Sequence, residues 1–416
     1  MMTSKISNEA YVWVWLPNAT EPVVAGKLEI DGSHMLFNYG KSYLERADKI
    51  SIYEPELPLS TGVLPLLDGL NMPGCIRDGA PDAWGRRVII NKYVGTKANA
   101  IDTDQFDEMT YLLESGSDRI GALDFQASPT EYVARSAVNA SMEELMQSAQ
   151  RVEDGVLLTP ELDQALFHGS SIGGARPKAL IEQHDRKFIA KFSASADTYS
   201  VVKAEFVAMR LAQLIGLNVA NVHIERTSGK DVLLVERFDR VKMPSGWARK
   251  PVVSALTLFG FNDMEARYAS YESFAEIIRM RFHRPTETLR EIFGRLVFSI
   301  LCGNTDDHAR NHAAFWDGKM LSLTPAYDIC PQGRSGGEAT QAMLIHGNNR
   351  FSQLAVCLKA ANTFLLSPQD ATDIFDHQIG VIEQNWQQVC DEANVSSVDR
   401  RLWWHRQFLN PYALMA

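Results

Sequence analysis

The chain has 416 residues, enough for two or three domains with ample core. Its 45% hydrophobic and 22% charged content is that expected of an ordinary soluble globular protein, and a formal net charge of −10 argues against a broad basic face for nucleic acid. Five scattered cysteines (75, 302, 330, 357 and 390), never in C-x-x-C spacing, suggest neither a disulfide framework nor a zinc site and fit a reducing cytoplasm.

Residues 1–10 lack the apolar core of a signal peptide, and no apolar run is long enough to span a bilayer, so no membrane partner is expected. Residues 11–16, 23–30 and 34–39 predict a β-meander closed by the Asp31-Gly32 turn. Residues 42–47 predict a short helix, and residues 55–65 a proline-punctuated loop. Asp78 and Asp82 are candidate caps of a helix continuing through residues 88–93. Residues 118–125 read as a turn entering a strand. Ser141 and Glu144 form a capping box for a helix over 141–150.

Gly173 and Gly174 would let backbone approach a phosphate, and Arg176 and Lys178 supply charge, although no Walker A pattern is present. A flexible hairpin tip is the alternative. Residues 187–192 alternate as a strand that sets Lys191 among apolar neighbours. There it either holds phosphates or covers apolar surface with its stem. A helix over 201–215, ended by Gly216, carries Glu205. It could pair with Lys191 or stand solvated near the helix start. Strands over 219–225 and 232–235 lead into Glu236, Arg237 and Phe238. These are in the place of a hinge, with salt bridges as the alternative role.

Helices over 271–281 and from Pro285 onward precede Gly303, which stops the second. Asp306 and Asn311 then follow with D-x-x-x-x-N spacing, the pattern of a base and a magnesium ligand in phosphoryl transfer. A hairpin over 312–323, turning at 317–319, ends in Tyr327 and Asp328. Asp328 would be either a metal ligand or a turn aspartate. His308 is expected to brace the loop. Residues 332–350, with four glycines, predict a mobile segment. The rest is helical, over 370–393 and 398–408, with Trp386, Trp403 and Trp404 as packing anchors.

Taken in order, DGAPDAWGR (78–86), DRIGALDF (118–125), SIGGARPK (171–178), VERFDR (235–240), NTDDHARN (304–311) and TPAYDI (324–329) resemble the HipA-type serine/threonine kinases, toxins of bacterial toxin–antitoxin modules. The resemblance implies an α+β, two-lobed, protein-kinase-like fold. Residues 1–135 would be an N-terminal β-rich subdomain, 136–240 the rest of the small lobe, and 241–416 a helical C-terminal lobe. It implies Asp306 as catalytic base, and Asn311 and Asp328 as Mg2+ ligands. ATP would meet Lys191, the loop Gly173, Gly174, Ala175, Arg176, Pro177 and Lys178, and the hinge Glu236, Arg237 and Phe238, with His308 and Tyr327 flanking its phosphates. Ser171 would be autophosphorylated. The implied partners are a helix-turn-helix antitoxin of HipB type, DNA through that antitoxin, and a protein substrate such as an aminoacyl-tRNA synthetase. The loop departs from the pattern at Arg176-Pro177. A catalytically silent co-repressor and a small-molecule kinase are the competing readings.

Overall fold

The structure, a computed structural model, describes residues 7–94, 106–135, 140–156, 158–159, 168–171, 173–194, 197, 199–334 and 336–415. Two compact units result. The first comprises Met1–Ala196, Glu225–Val253 and Trp316–Lys319. The second comprises Asp197–Ile224, Ser254–Phe315 and Met320–Ala416.

In the first unit, β1 (Glu9–Val14), β2 (Val23–Asp31) and β3 (His34–Tyr39) form the expected meander. β4 (Val63–Leu64), within the stretch predicted to be loop, and β5 (Leu123–Gln126) extend it to the order β4-β3-β2-β1-β5. The helix expected over 42–47 is one turn, Lys41–Leu44. A second sheet contains β6 (Lys178–Gln183), β7 (Arg186–Phe192) and β8 (Lys230–Glu236), with β7 antiparallel to both. Phe188, Ala190 and Phe192 alternate onto one face of β7. There they pack with Trp84 and Val88 of the helix Ala83–Val94, and with Leu145, Ala149 and Val152 of the helix Met142–Glu153. The capping box of Ser141 and Glu144 starts that last helix as predicted. Because side chains alternate along a strand, Lys191 lies on the face of β7 away from this core.

A buried ion cluster locks these sheets together. Asp118, from the turn before β5, accepts Lys187 at 2.7 Å and Arg240 at 2.8 Å, while Arg237 grips Asp239 through Nε and Nη2 at 2.9 and 2.8 Å. Asp239 also accepts the Gly121 N–H at 2.8 Å. Burial alone would raise the Asp239 carboxyl. Arg237 and Arg240, with hydrogen bonds from Arg237 and Gly121, outweigh it and hold the group at about 2. Two stretches distant in sequence, 118–125 and 235–240, are therefore halves of one structural joint.

The second unit is mainly helical, with helices Val201–Ile215, Tyr271–Arg281, Pro285–Leu301 and Pro368–Glu392. Trp386 packs at 5.0 Å from Trp404 and 4.8 Å from Phe408, and Trp403 is fully buried. The segment predicted to be mobile is instead pinned. Gln341 N–H donates to Arg350 O at 2.7 Å, Thr340 bridges Phe351, and Met343 and Ile345 are fully buried. Its glycines had masked this apolar alternation. Among the described residues no helix is long and apolar enough to cross a membrane.

Removing one partner of a buried ion cluster strands the other charges, at a cost of roughly 3–5 kcal/mol. Asp239→Ala is therefore expected to lower unfolding free energy by about that much in urea titration. The folded pKa lies below the unfolded value of about 3.9. The Asp239 contribution should thus be complete above that pH and disappear as pH falls towards 2.

Candidate active site

The helix Pro285–Leu301 delivers the central loop. Cys302 caps it, and Gly303 reverses the chain at φ +73°, where a Cβ would lie 2.7 Å from Gln407 O. Thr305 O accepts the Ala342 N–H at 3.1 Å, and Gly303 O accepts the Gln332 N–H at 2.9 Å. The loop is thus held by the segment once expected to be mobile.

Inside it, Asp307 is buried and gathers three donors. Tyr271 Oη donates to Asp307 Oδ2, as does Ser299 Oγ at 3.2 Å, and His312 Nε2 lies 3.1 Å from Oδ1. Burial raises the Asp307 carboxyl, but His312, then the hydrogen bonds from His312, Tyr271 and Ser299, overcome it and hold the group below the ordinary aspartate range. Hydrogen bonds to a charged group contribute about 1.5–3 kcal/mol each. This anchor is the brace that sequence reading assigned to His308 and missed at His312, which was taken for the first residue of a strand; that strand is Ala313–Trp316. The signal for it was the pair Asp-x-x-x-x-His at 307 and 312, offset by one from the Asp306–Asn311 pattern.

Anchoring Asp307 turns its neighbour outward. Asp306 is an exposed residue whose carboxyl is nonetheless partly screened by the surrounding loops. That partial burial raises its carboxyl; His308 opposes the shift, and Asp328 and Asp307 reinforce it. Asn311 Nδ2 donates to Asp306 O at 3.1 Å, which leaves its amide oxygen as the outward acceptor. Asp328 arrives on the strand-like segment after the hairpin. The Ala326 N–H donates to Asn218 O at 2.8 Å, and buried Arg295 clamps Asn218 O and Thr324 O at 3.0 and 2.9 Å. Tyr327 Oη donates to Arg310 O at 2.7 Å, tying this segment to the loop, and Asp328 takes φ +58°, a conformation aspartate tolerates. The structure therefore brings Asp306, Asn311, Tyr327 and Asp328 together within the second unit. Their hard oxygens, an amide and two mutually repelling carboxylates, are a donor set suited to Mg2+. His308 Nδ1 is buried without a hydrogen-bond partner among the described residues.

The first unit holds the other predicted residues. Lys191 stands directly opposite Lys178 in the β6–β7 ladder. Like charges so placed are unfavourable unless an anion joins them. Lys178, expected at a phosphate, is buried and donates Nζ to Gly173 O, so it shapes the loop. Asp82 Oδ2 accepts the Gly174 N–H at 2.8 Å, Trp84 N–H donates to Gly174 O at 3.1 Å, and Trp84 Nε1 donates to Lys178 O at 3.0 Å. The stretch 81–84, taken as a capped surface helix, is thus the support of the glycine loop. Asp78 caps the end of the turn Gly74–Arg77, not the start of the next helix. Ala175 is exposed, Arg176 half-buried and Pro177 buried, its carbonyl accepting the Phe192 N–H at 3.0 Å. Arg237, expected as an adenine contact, has its guanidinium inside the ion cluster and its N–H on Lys187 O at 2.8 Å; the salt-bridge reading is the correct one for its side chain. Glu236 pairs at the surface with Arg186 at 3.3 Å, and Phe238 is half-buried. Ser171 is buried in the turn His168–Ser171, and Ile172 lies outside the described residues. Glu205 is buried in the second unit, which removes the solvated reading.

A HipA-like C-terminal domain matches residues 170–386 and a HipA N-terminal domain residues 14–126. A HipA chain of Shewanella oneidensis, solved with HipB and operator DNA, superposes with a TM-score of 0.69 at 19% identity, covering 96% of this chain and 95% of that one. The fold is α+β and protein-kinase-like, with a β-rich N-terminal part and a mainly helical C-terminal part. The chain belongs to the HipA kinase family. The Shewanella oneidensis serine/threonine-protein kinase toxin HipA is 27% identical over 207 residues, 43% of this chain and 47% of its own length. A putative kinase of Sinorhizobium fredii, Y4mE, is 24% identical over 249 residues, 56% and 59% respectively. The chain spans about half the length of the curated relatives it matches.

The carboxyl of Asp306 should titrate above the ordinary aspartate range in carbon-detected NMR, and Asp328→Asn should move it back down by removing a repelling charge. An unchanged Asp306 titration in that variant would separate the two groups.

Proposed function

We propose that this chain is a Mg-ATP-dependent serine/threonine protein kinase, the toxin of a HipA/HipB-type module. The observation that carries the reading is the Asp306, Asn311 and Asp328 cluster, held by the buried Asp307 anchor. In this mechanism Asp306 orients the attacking hydroxyl and accepts its proton, and the raised carboxyl makes it a better proton acceptor once ionised. Asn311 Oδ1 and Asp328 would hold Mg2+, which neutralises charge on the phosphates when bound. Lys191 would receive the α- and β-phosphates. The backbone of 173–176 would cover the nucleotide, and Tyr327 and His308 would flank its phosphates. Backbone groups of 236–238, with Phe238 alongside, would receive adenine.

Ser171 is the proposed autophosphorylation site. Its burial means that the 168–171 turn must detach before the hydroxyl can react, and a phosphate there could not return to the same pocket. The complex of the structural relative with HipB and operator DNA supports a HipB-type helix-turn-helix antitoxin as partner, with DNA reached through it. A translation component such as an aminoacyl-tRNA synthetase is the proposed substrate, and the cytoplasm the proposed location.

Purified chain incubated with labelled Mg-ATP should label itself on Ser171 or label a lysate protein. General-base removal typically costs 10²–10⁴-fold, so Asp306→Asn should lose about that much. Equal incorporation by wild type and Asp306→Asn, or label transferred to small alcohols and not to protein, would contradict the proposal.

A further inference from the structure

Arg334 follows Asp328 by six residues in the second unit. It is only 9% exposed, and its Nε and Nη2 are both buried without a hydrogen-bond partner among the described residues. These two nitrogens form one edge of the guanidinium, the edge that grips an oxyanion with two parallel bonds. The same edge is filled elsewhere in this chain. Arg46 holds Asp48 with it at 2.9 and 2.9 Å, and Arg237 holds Asp239 at 2.9 and 2.8 Å. At Arg334 no carboxylate takes that place among the described residues.

An aromatic ring lies beside the guanidinium, and a second arginine bonds the Arg334 backbone. Arg406 Nη2 donates to Arg334 O at 3.1 Å, bringing a second guanidinium close, and the Arg334 guanidinium sits 5.8 Å from the Tyr412 ring centre. Glu338, whose charge raises the Tyr412 phenol, makes no bond to the Arg334 edge. Burial pushes the Arg334 guanidinium below the ordinary arginine range, with Tyr412 in opposition. A buried charge in this state is costly unless paired.

We propose that the Nε–Nη2 edge of Arg334 is a binding site for a phosphate-class oxyanion, separate from the nucleotide site. The fork geometry selects a planar or tetrahedral oxyanion over a halide. Its position also links it to the catalytic loop. Gln332, two residues before Arg334, donates its N–H to Gly303 O, and Gln407, next to Arg406, is the residue whose carbonyl crowds Gly303. An anion bridging the Arg334 region would fix both neighbours of Gly303, and so the root of the Asp306 loop. The anion is either free inorganic phosphate or a phosphoryl group carried by a side chain of the chain itself.

The test uses the full chain in a Lys191→Gln background, so that the expected nucleotide site does not contribute. Thermal unfolding is measured in phosphate and in chloride at matched pH and ionic strength. Phosphate should raise Tm to a plateau, Arg334→Gln should abolish that rise, and Arg334→Lys should keep a smaller one. Arg334→Gln should also melt no lower than its parent in chloride, because it removes a buried charge whose Nε–Nη2 edge holds no hydrogen bond among the described residues. Repeating the titration on the chain with Lys191 intact, as purified and after phosphatase treatment, with intact-mass measurement, separates the sources, because the Lys191→Gln chain is not expected to phosphorylate itself. A rise that appears only after dephosphorylation assigns the site to a covalent phosphoryl group, and a rise in both preparations assigns it to the free anion. If Arg334→Gln does not fold, 31P line broadening of phosphate by the Arg334-containing parent, relieved by excess sulfate, decides. The proposal is overturned by the absence of any phosphate-specific rise or broadening in both preparations, by an equal rise in Arg334→Gln, or by a lower chloride Tm in that variant.

Discussion

The carboxylate of Asp307 is the constraint on which the second unit's chemistry depends. It is buried, and a buried carboxylate stays ionised only where donors surround it. Those donors come from three places in the chain: Tyr271 at the start of one helix, Ser299 near the end of the next, and His312 beyond the loop. Satisfying Asp307 therefore fixes both helices against the loop. Its neighbour Asp306 is then forced outward, towards Asn311 and Asp328. One aspartate is spent on structure so that the adjacent one can be presented for chemistry.

The first unit follows the same logic with larger groups. Asp118 and Asp239 sit among Lys187, Arg237 and Arg240, and the cluster welds the meander to the strand that leads into residues 236–238. The glycine loop, soft by composition, is stiffened from outside by Asp82 and Trp84. Charged and aromatic residues that look like ligands in isolation are here used to position backbone.

Periodicity made much of this legible. The meander, the capping box at Ser141, the long helices and the stop at Gly303 all follow from local patterns, because their causes lie within a few residues. The convergence of Asp306, Asn311 and Asp328 was legible from order and spacing. Roles set by partners far away in sequence were not. Arg237 looked like a hinge ligand because nothing local announces Asp118, over a hundred residues earlier. His308 looked like the brace because Asp306, Asn311 and Asp328 already filled the proton-transfer and metal roles, and nothing local marks His312 as the partner of Asp307. Nothing in the helical periodicity of 285–301 marks Arg295, although it clamps the segment that carries Asp328. Residues 341–345 read as mobile because glycines flank them, whereas the packing of Met343 and Ile345 decides their order.

On the proposed mechanism an outward carboxylate cluster, secured by a buried one, forms the metal end of a phosphoryl-transfer site. A crystal structure of the full chain with Mg2+ and a non-hydrolysable ATP analogue tests this. A metal ion should touch both the amide oxygen of Asn311 and the carboxylate of Asp328, with Asp306 facing the terminal phosphate. A nucleotide bound with its metal away from those two oxygens would contradict it.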